Sequence, residues 1–430
     1  MPGSNKQRKN TKFGIQQLDQ WVLTVAEHLP QLSKPQATGL ALWSFGMATV
    51  KTCALTTVKL FLAVLLKVKE NTMRQRLREW CYGREDKRGD KRVDVDVEGC
   101  FPFLMRWIMD WWQGTQVAIA LDATALSLNF TVLCVSVVYR SCAIPVAWTI
   151  TKGNAKGGWN KHWFRMLGLI RPSIPSDYTV IILTDRGLYS PKLFPYIRKM
   201  GWHPFMRINA NGTFCPTGCP KGERVFRPIT SFAREPGESW CGTGIAFKSR
   251  RIPSTLLAYW GEEHKEAWFI LTDLPPEVCD TCWYGMRAWI EQGFRTIKRG
   301  GWQWHGTRMT DPKRAERLWL AVSVATLWLL SVGGEAEAEA MTSIPEGVFP
   351  DIVDCLGQCA KPQSSAKPRR QRKAAKLRLV SVFRRGWITI LVSFIRHEPL
   401  PLGRFIPEPW SVCAHERSKS LQHNRLGAAA

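Results

Sequence analysis

The feature that most constrains the fold is a series of three short β-rich segments, then a helix, then a strand that is apolar throughout. VAIALDATAL (117–126), FTVLCVSVVYR (130–140) and AIPVAWTITKG (143–153) are separated only by brief turns, which is typical of an antiparallel meander. KHWFRMLGLI (161–170) has helical periodicity, and YTVIILTDRG (178–187) is typical of a buried strand. The periodicity predicts a mixed α/β domain.

Two aspartates lie in these predicted strands. Asp122 is inside an apolar segment, where an unpaired charge is costly, and Asp185 ends the buried strand, which delivers its side chain to a sheet edge. Each alone could be a hydrogen-bonded structural residue. Together with an acid on a later helix they predict a carboxylate triad. Clustered carboxylates have raised pKa values unless cations neutralise them, and Mg²⁺ suits such a site because it binds few carboxylates and keeps positions for water and phosphate.

The third acid lies in the segment WYGMRAWIEQGFRTIKRGG (283–301). Glu291 is its only acid, among four basic residues and several aromatic rings. On a regular α-helix Tyr284, Arg287, Glu291 and Lys298 fall within roughly 60° of arc, beside an apolar stripe that can pack against a core. Taken alone, this pattern also fits an ion pair on a solvated helix face.

The charge of the chain indicates a polyanionic partner. Sixty Lys and Arg residues against 35 Asp and Glu residues give a formal net charge of +25. Because phosphate contacts dominate nucleic-acid affinity, a nucleic acid is favoured over a membrane surface or a ribosome, and the 21 tryptophans offer surfaces for base stacking. A basic helix with Arg74, Arg76 and Arg78 and the basic run within 367–385 could contact the DNA backbone or be solvated.

Cysteine usage and hydropathy indicate a cytosolic protein. Thirteen cysteines are scattered along the chain, and the basic N-terminal segment lacks the apolar stretch of a signal peptide, so reduced thiols are expected. Lys51 and Lys59 interrupt the apolar run 39–66 and would be costly in mid-bilayer. We therefore expect buried helices there and no membrane partner. No glycine loop that would cradle a phosphate is apparent, so no nucleotide cofactor is expected.

Two cysteine pairs raise the possibility of a zinc site. Cys215 with Cys219 and Cys279 with Cys282 could supply four thiolates, although the first spacing fits chance equally well. His305 in GWQWHG (301–306) is flanked by aromatic residues and is expected to pack or to face DNA.

The segments that carry the acids resemble those of a known family. ALDATAL, LTDRGLYS and the spacing Tyr284-x2-Arg287-x3-Glu291-x6-Lys298 resemble bacterial insertion-sequence transposases of the Asp-Asp-Glu (DDE) class, in the family with a Tyr-Arg-Glu-Lys signature. The resemblance covers about 117–330. It implies an α/β fold with an RNase H-like catalytic core, a β-rich insertion between the second Asp and the Glu, and a helical N-terminal domain.

The resemblance also implies the chemistry. Asp122, Asp185 and Glu291 would be the catalytic residues and would hold two Mg²⁺ ions, for which Mn²⁺ can substitute. Hydrolysis at a transposon end would free a 3′-OH, and this hydroxyl would then attack a phosphodiester of target DNA. The implied partners are double-stranded DNA, both transposon ends and target, and further copies of the chain in a homo-oligomer.

Five further residues are implied to bind DNA. Tyr284, Arg287 and Lys298 would contact phosphates near the transposon end. Arg207 in FMRIN resembles a basic residue that follows the fifth strand and faces DNA. Trp268 in AWFILTDL resembles an insertion-domain tryptophan that stacks on a flipped base, although packing in the core is the alternative.

The predicted domain organisation combines these patterns with the resemblance. The charged, glycine-punctuated segment 83–99 is predicted to be a linker. The domains are a helical DNA-binding domain (1–100), the first part of the RNase H-like core (101–206), the β-rich insertion (207–275), the second part of the core with the catalytic helix (276–332), and a basic, partly disordered C-terminal region (333–430).

Two other functions stay open at this point. One is a non-catalytic DNA-binding protein derived from a transposase, and the other is an RNase H-like nuclease without strand transfer. The expected location is the bacterial cytoplasm, in association with the nucleoid.

Overall fold

The structure, a computed structural model, describes residues 4–87, 92–126, 129–153, 158–218, 225–262, 264–342 and 380–410. Within these ranges one mixed sheet is packed against helices. The α-helices are α1 (Ser4–His28), α2 (Lys34–Val50), α3 (Leu55–Leu66), α4 (Glu70–Cys81), α5 (Val97–Asp110), α6 (Asn160–Ile170), α7 (Leu193–Lys199), α8 (Ala288–Arg295), α9 (Pro312–Thr342) and α10 (Val382–Arg396).

The strands follow the predicted order through the first half of the domain. They are β1 (Gln116–Leu126), β2 (Phe130–Tyr139), β3 (Cys142–Lys152), β4 (Thr179–Thr184), β5 (His203–Arg207), β6 (Thr213–Pro216), β7 (Arg227–Pro228), β8 (Ser239–Ala246), β9 (Ile252–Tyr259) and β10 (Trp268–Thr272). Short 3₁₀ helices cover Arg84–Asp86, Arg171–Ser173, Arg186–Leu188, Ile229–Phe232, Thr281–Arg287 and Trp304–Gly306, and a π-helix covers Thr296–Gly300.

The sheet has the order β3-β2-β1-β4-β5-β10-β9-β8-β6-β7. Strands β1, β2 and β3 form the predicted antiparallel meander. Strand β4 lies parallel to both β1 and β5. Its last five residues are buried, as expected for a parallel strand with both faces covered. The mixed α/β prediction is confirmed.

The β-rich segment predicted at 207–275 extends the core sheet. Strand β10 pairs antiparallel with β5, and Ile270 lies opposite Arg207. Strands β9, β8, β6 and β7 then continue the same sheet outward. This pairing covers the backbone groups of β5 that would otherwise form an exposed sheet edge, so the inserted segment is built onto the core.

Helix α9 forms the centre of the helical layer. Its most apolar window is long and hydrophobic enough to cross a membrane, but 94% of that window is buried inside the protein. The apolar run at 39–66 forms α2 and α3, which meet at an angle of 100°; α2 is largely buried and α3 only partly. Trp21 of α1 stacks on Trp328 of α9 with ring centroids 4.2 Å apart, which docks the N-terminal helices on the core.

The segment 83–99, which was predicted to be a linker, is hydrogen-bonded to the core through its described residues. Asp94 accepts hydrogen bonds from the Arg84 backbone N–H (2.6 Å) and from Arg317 of α9 (3.3 Å). Arg317 also donates to the Cys81 carbonyl. Helix α5 crosses the predicted boundary at residue 100, so the N-terminal helices and the core are continuous here. Residues 88–91 lie outside the described ranges.

The C-terminal region contributes two described segments to the fold. Helix α9 continues through 333–342, and α10 packs against it. A Cβ on Gly386 would lie 1.9 Å from the Leu329 carbonyl oxygen, and a Cβ on Gly333 would lie 2.1 Å from that of Val382. These glycines let the two backbones meet, and so 380–410 is an ordered part of the fold. The basic residues 367–378 lie outside the described ranges.

Candidate active site

Strands β1 and β4 bring the two aspartates together at the point where β4 ends. Leu121 pairs with Thr184 in the parallel β1–β4 register, so Asp122 and Asp185, the next residues, end up side by side. Asp122 accepts a hydrogen bond from the Ala123 N–H (2.8 Å). Asp185 caps the following 3₁₀ helix through its Oδ1, which accepts from the Arg186 N–H at 2.6 Å.

The segment that carries Glu291 is not one regular α-helix, and that prediction is wrong. It begins as the 3₁₀ helix Thr281–Arg287, continues as α8, and ends as the π-helix Thr296–Gly300. Tertiary packing decides this geometry, because Gly293 lies directly against Ala143 of β3. A Cβ at Gly293 would fit only if α8 or β3 moved. A π-helical turn of this kind often occurs at functional sites.

Arg287 lies among all three predicted carboxylates. Its Nη2 is 3.0 Å from Asp122 Oδ2 and 3.6 Å from Asp185 Oδ2. Its Nη1 forms an ion pair with Glu291 Oε1. The Arg287 side chain is only 14% exposed, and its Nε is buried without a hydrogen-bond partner among the described residues. The three acids therefore converge, and they do so around a guanidinium.

Charge and burial oppose each other at this cluster. Burial raises the pKa of Asp122, the Arg287 charge opposes that rise, and Asp185 and Glu291 add to it. Burial disfavours the charged form of Arg287, yet Asp122 and Asp185 outweigh it and raise the pKa of Arg287. The guanidinium thus supplies the positive charge that a carboxylate cluster requires.

The three carboxylates are ligands that suit a divalent cation, but the Arg287 guanidinium occupies the space between them. Three carboxylates at one sheet edge are oxygen ligands of the kind that Mg²⁺ prefers. Within the described part of the chain, no group of three or more His, Cys, Asp or Glu side chains is arranged to hold a metal ion. The three carboxylates thus have the ligand chemistry of a divalent-cation site, and the Arg287 guanidinium lies among them in this structure.

Lys298 and Tyr284 both face the two central strands. Lys298 Nζ donates to Thr124 Oγ1 on β1 (2.6 Å), and burial lowers the pKa of Lys298. The Lys298 carbonyl oxygen and His305 Nδ1 form a hydrogen bond, so His305 packs against the turn that carries the lysine. Tyr284 is buried, and its hydroxyl donates to the Thr184 carbonyl of β4 (3.3 Å). Lys298 therefore borders the site, whereas Tyr284 lies beneath it.

Arg207 and Trp268 lie where β5 and β10 meet. Arg207 Nη2 donates to Glu266 Oε1 (2.8 Å). Trp268 is half-buried, stacks on His264 with centroids 4.2 Å apart, and meets Tyr284 edge to face at 5.1 Å. The ring is thus packed against two neighbours at the rim of the site.

Sequence reasoning missed two charged residues at this rim. Arg186 and Glu266 form an ion pair in which Arg186 Nη1 lies 3.2 Å from Oε1 and 3.0 Å from Oε2 of Glu266. The position of Arg186, directly after Asp185, could have marked it as a site residue. No local pattern distinguishes Glu266, because its partners are 80 and 59 positions away in the chain.

The cysteines do not assemble into a zinc site within the described residues. Cys215 is buried in β6, and Cys219 lies outside the described ranges. A hydrogen bond with Cys241 and burial raise the pKa of the Cys279 thiol. Cys282 is disulfide-bonded, so the expectation of reduced thiols is wrong for this cysteine.

The fold and the site together define a class of protein. A mixed α/β sheet places two aspartates at one edge, a helix adds a glutamate, and basic residues surround them, which suits phosphodiester chemistry on a nucleic acid. Residues 147–328 match the family model of the transposase DDE domain. The matched range includes Asp185 and Glu291, and Asp122 precedes it. Over this range the chain carries a transposase DDE domain, the catalytic domain of a DNA transposase.

Two other comparisons add little to this assignment. No curated protein matches the chain. Among solved structures, the chain is similar to a piggyBac transposase in a synaptic complex with hairpin DNA, with 9% sequence identity and a TM-score of 0.32. The alignment covers 85% of this chain and 87% of that chain. A TM-score this low does not establish a common fold, so no conclusion follows from it.

Proposed function

We propose that this transposase cleaves DNA at transposon ends and joins the freed 3′-OH to target DNA, with Asp122, Asp185 and Glu291 as its catalytic carboxylates. The observation that carries the proposal is the convergence of these acids on one guanidinium. The strand order β3-β2-β1-β4-β5, with an antiparallel meander followed by two parallel strands, supports an RNase H-like core.

DDE transposases use divalent metal ions, and we assign the holding of two Mg²⁺ ions, replaceable by Mn²⁺, to the same three carboxylates. Bound there, divalent cations would activate the attacking oxygen and stabilise the leaving oxygen of an in-line displacement. Asp122 lies within β1 and Asp185 directly follows β4, so both carboxylates are held by the sheet. Glu291, on α8 and 47% exposed, can adjust its position.

Arg287 has a defined task in this scheme. While it bridges the three carboxylates it neutralises them, and it has to leave before they can share a divalent cation. Its side chain is long and joins the backbone at the start of α8, so the freed guanidinium stays near the sheet edge. There it can contact a DNA phosphate, which is the role proposed for it together with Lys298 and Arg207.

The remaining site residues extend the DNA contact. Trp268 stands at the rim, and unstacking from His264 would present its ring to a base. Tyr284 would need to exchange its hydrogen bond with Thr184 for one to a phosphate. The spacing of Tyr284, Arg287, Glu291 and Lys298 supports membership of the bacterial insertion-sequence family with the Tyr-Arg-Glu-Lys signature, and so a nucleoid-associated location in the cytoplasm.

The partners of this reaction are double-stranded DNA segments. Both transposon ends must be cut and joined in concert, and for that reason we propose that the chain acts as a homo-oligomer on DNA. The exposed Arg74 and Arg76 of α4 would add contacts to the DNA backbone from the helical N-terminal region.

The decisive experiment uses DNA that carries the flanking ends of the element, incubated with the purified protein and Mg²⁺. We expect excised and joined products from the wild type. Asp122→Asn, Asp185→Asn and Glu291→Gln should each abolish cleavage while DNA binding survives. Cleaved ends that never join would indicate a nuclease without strand transfer. Cleavage at the wild-type rate in one variant would remove that residue from the catalytic set.

A further inference from the structure

We infer that Arg186 and Arg207 form a binding site for a backbone phosphate of DNA, and that Glu266 occupies this site in the free protein. The inference rests on the proposed function, since it names a further DNA contact of the same site. One carboxylate receives both arginines: Arg207 Nη2 is 2.8 Å from Glu266 Oε1, and Arg186 Nη1 is 3.0 Å from Oε2.

The chemistry of this contact is that of phosphate recognition. A phosphodiester carries one negative charge on two outer oxygens, as a carboxylate does, and the planar guanidinium fork matches both. Two arginines around one such group also provide more positive charge than the single carboxylate neutralises. A DNA phosphate can therefore replace Glu266 without any rebuilding of the two arginine side chains.

The position of the pair places that phosphate beside the catalytic carboxylates. Arg186 directly follows Asp185, and Arg207 is the last residue of β5, the strand next to β4. Arg207 is anchored, with its side chain only 14% exposed and a second contact to the Ala267 carbonyl at 3.4 Å. A strand of DNA bound across this edge would pass over Asp185.

Glu266 is the part of the cluster that can move. Its side chain is 54% exposed and that of Arg186 is 51% exposed, and Glu266 lies just before β10, outside the strand. The two arginines lower the pKa of Glu266 against the effect of burial. Exposed ion pairs contribute little to folding stability. We therefore infer that the ion pair inhibits DNA binding and contributes little to the stability of the fold.

The test measures DNA binding by fluorescence anisotropy, with a labelled duplex of arbitrary sequence, in EDTA and over a series of NaCl concentrations. Glu266→Gln should tighten binding several-fold and steepen the salt dependence by about one unit of slope, the value for one additional phosphate contact. Adding Arg186→Gln to Glu266→Gln should cancel the gain. In the wild-type background Arg186→Gln should change binding less, because Glu266 masks this arginine.

The matched control is Glu98→Gln, which removes the same charge from an ion pair between the half-buried Glu98 and the exposed Arg165. An increase in affinity no greater than that of the control, with an unchanged salt slope, would overturn the inference. Thermal unfolding of every variant verifies folding, and the double variant decides the question if the single substitution alters stability. Because EDTA prevents catalysis, this outcome is independent of whether the protein cleaves and joins DNA.

Discussion

At the scale of single residues, the position of Arg287 links the candidate metal site to the candidate DNA site. One guanidinium touches Asp122, Asp185 and Glu291, so it competes with any cation that these carboxylates would bind. The guanidinium and the cation compete for the same carboxylates, so the cost of binding the cation includes the free energy needed to move the Arg287 side chain away. Metal affinity without DNA should therefore be lower than the carboxylates alone would allow.

Arg287→Gln should raise the affinity of the DNA-free protein for Mn²⁺ on the order of tenfold, or about 1.4 kcal/mol, because the competing cation is gone. The metal-free variant should lose about 1–2 kcal/mol of stability, since solvent compensates only part of the unpaired carboxylate charge. Electron paramagnetic resonance of free Mn²⁺ measures the first effect, and urea unfolding in EDTA measures the second.

The control for this prediction is Arg404→Gln, which removes an arginine that pairs with Glu335, away from the carboxylate cluster. It should leave Mn²⁺ affinity unchanged. Equal Mn²⁺ affinity for Arg287→Gln and the wild type would show that the guanidinium does not compete for the site.

At the scale of elements, the segment 281–300 shows how packing overrides local helical preference. Its glycines are the informative positions, because they differ in their surroundings. A Cβ on Gly293 would lie 2.9 Å from the Cβ of Ala143, whereas a Cβ on Gly285 would meet no atom within 4 Å. The close approach of α8 to β3 at Gly293 sets the position of Glu291, two residues earlier.

Gly293→Ala should destabilise the protein by about 1–3 kcal/mol through overpacking, although alanine is intrinsically the better helix former by about 1 kcal/mol. It should also reduce Mg²⁺-dependent cleavage, because a shift of α8 displaces Glu291. Thermal unfolding and the cleavage assay measure the two effects. Gly285→Ala is the matched variant and should unfold like the wild type; equal stability of both variants would contradict the packing argument.

At the scale of the whole molecule, distant parts of the chain form one body. The N-terminal helices stack on α9 through Trp21, and α10 crosses α9 at Gly333 and Gly386. After α10 the chain runs on to Phe405, which forms a bridge with Trp112 just before β1. The C-terminal region therefore stabilises the same core that carries the catalytic carboxylates.

Gly386→Ala should disrupt this crossing, because its Cβ would meet the Leu329 carbonyl oxygen at 1.9 Å and both backbones would have to separate. We expect a loss of about 3 kcal/mol or more, at the upper end for overpacking, measured by urea unfolding. Gly306→Ala, where a Cβ meets nothing within 4 Å, is the control. A Gly386→Ala protein as stable as this control would show that the helix crossing is loose.

Much of the fold could be predicted from local pattern. The three meander strands and the apolar β4 were predicted within a few residues, because alternation and apolar runs are properties of neighbouring residues. The same reasoning placed Asp122 and Asp185 at strand positions that the parallel β1–β4 register brings together. The helix type around Glu291 could not be predicted, since it depends on contact with β3.

By itself, the sequence determined the mixed α/β elements, their order along the chain through β5, and the placement of Asp122 and Asp185 on strands and Glu291 on a helix, because each of these follows from residues close together in the chain. Only the tertiary structure decided that Arg287 stands among those acids, that Glu266 holds Arg186 and Arg207, and that β10 extends the core sheet. These features join distant residues, such as Arg287 and Asp122, which are 165 positions apart. No local pattern encodes a contact of that kind, because its energy arises only when the whole chain is folded.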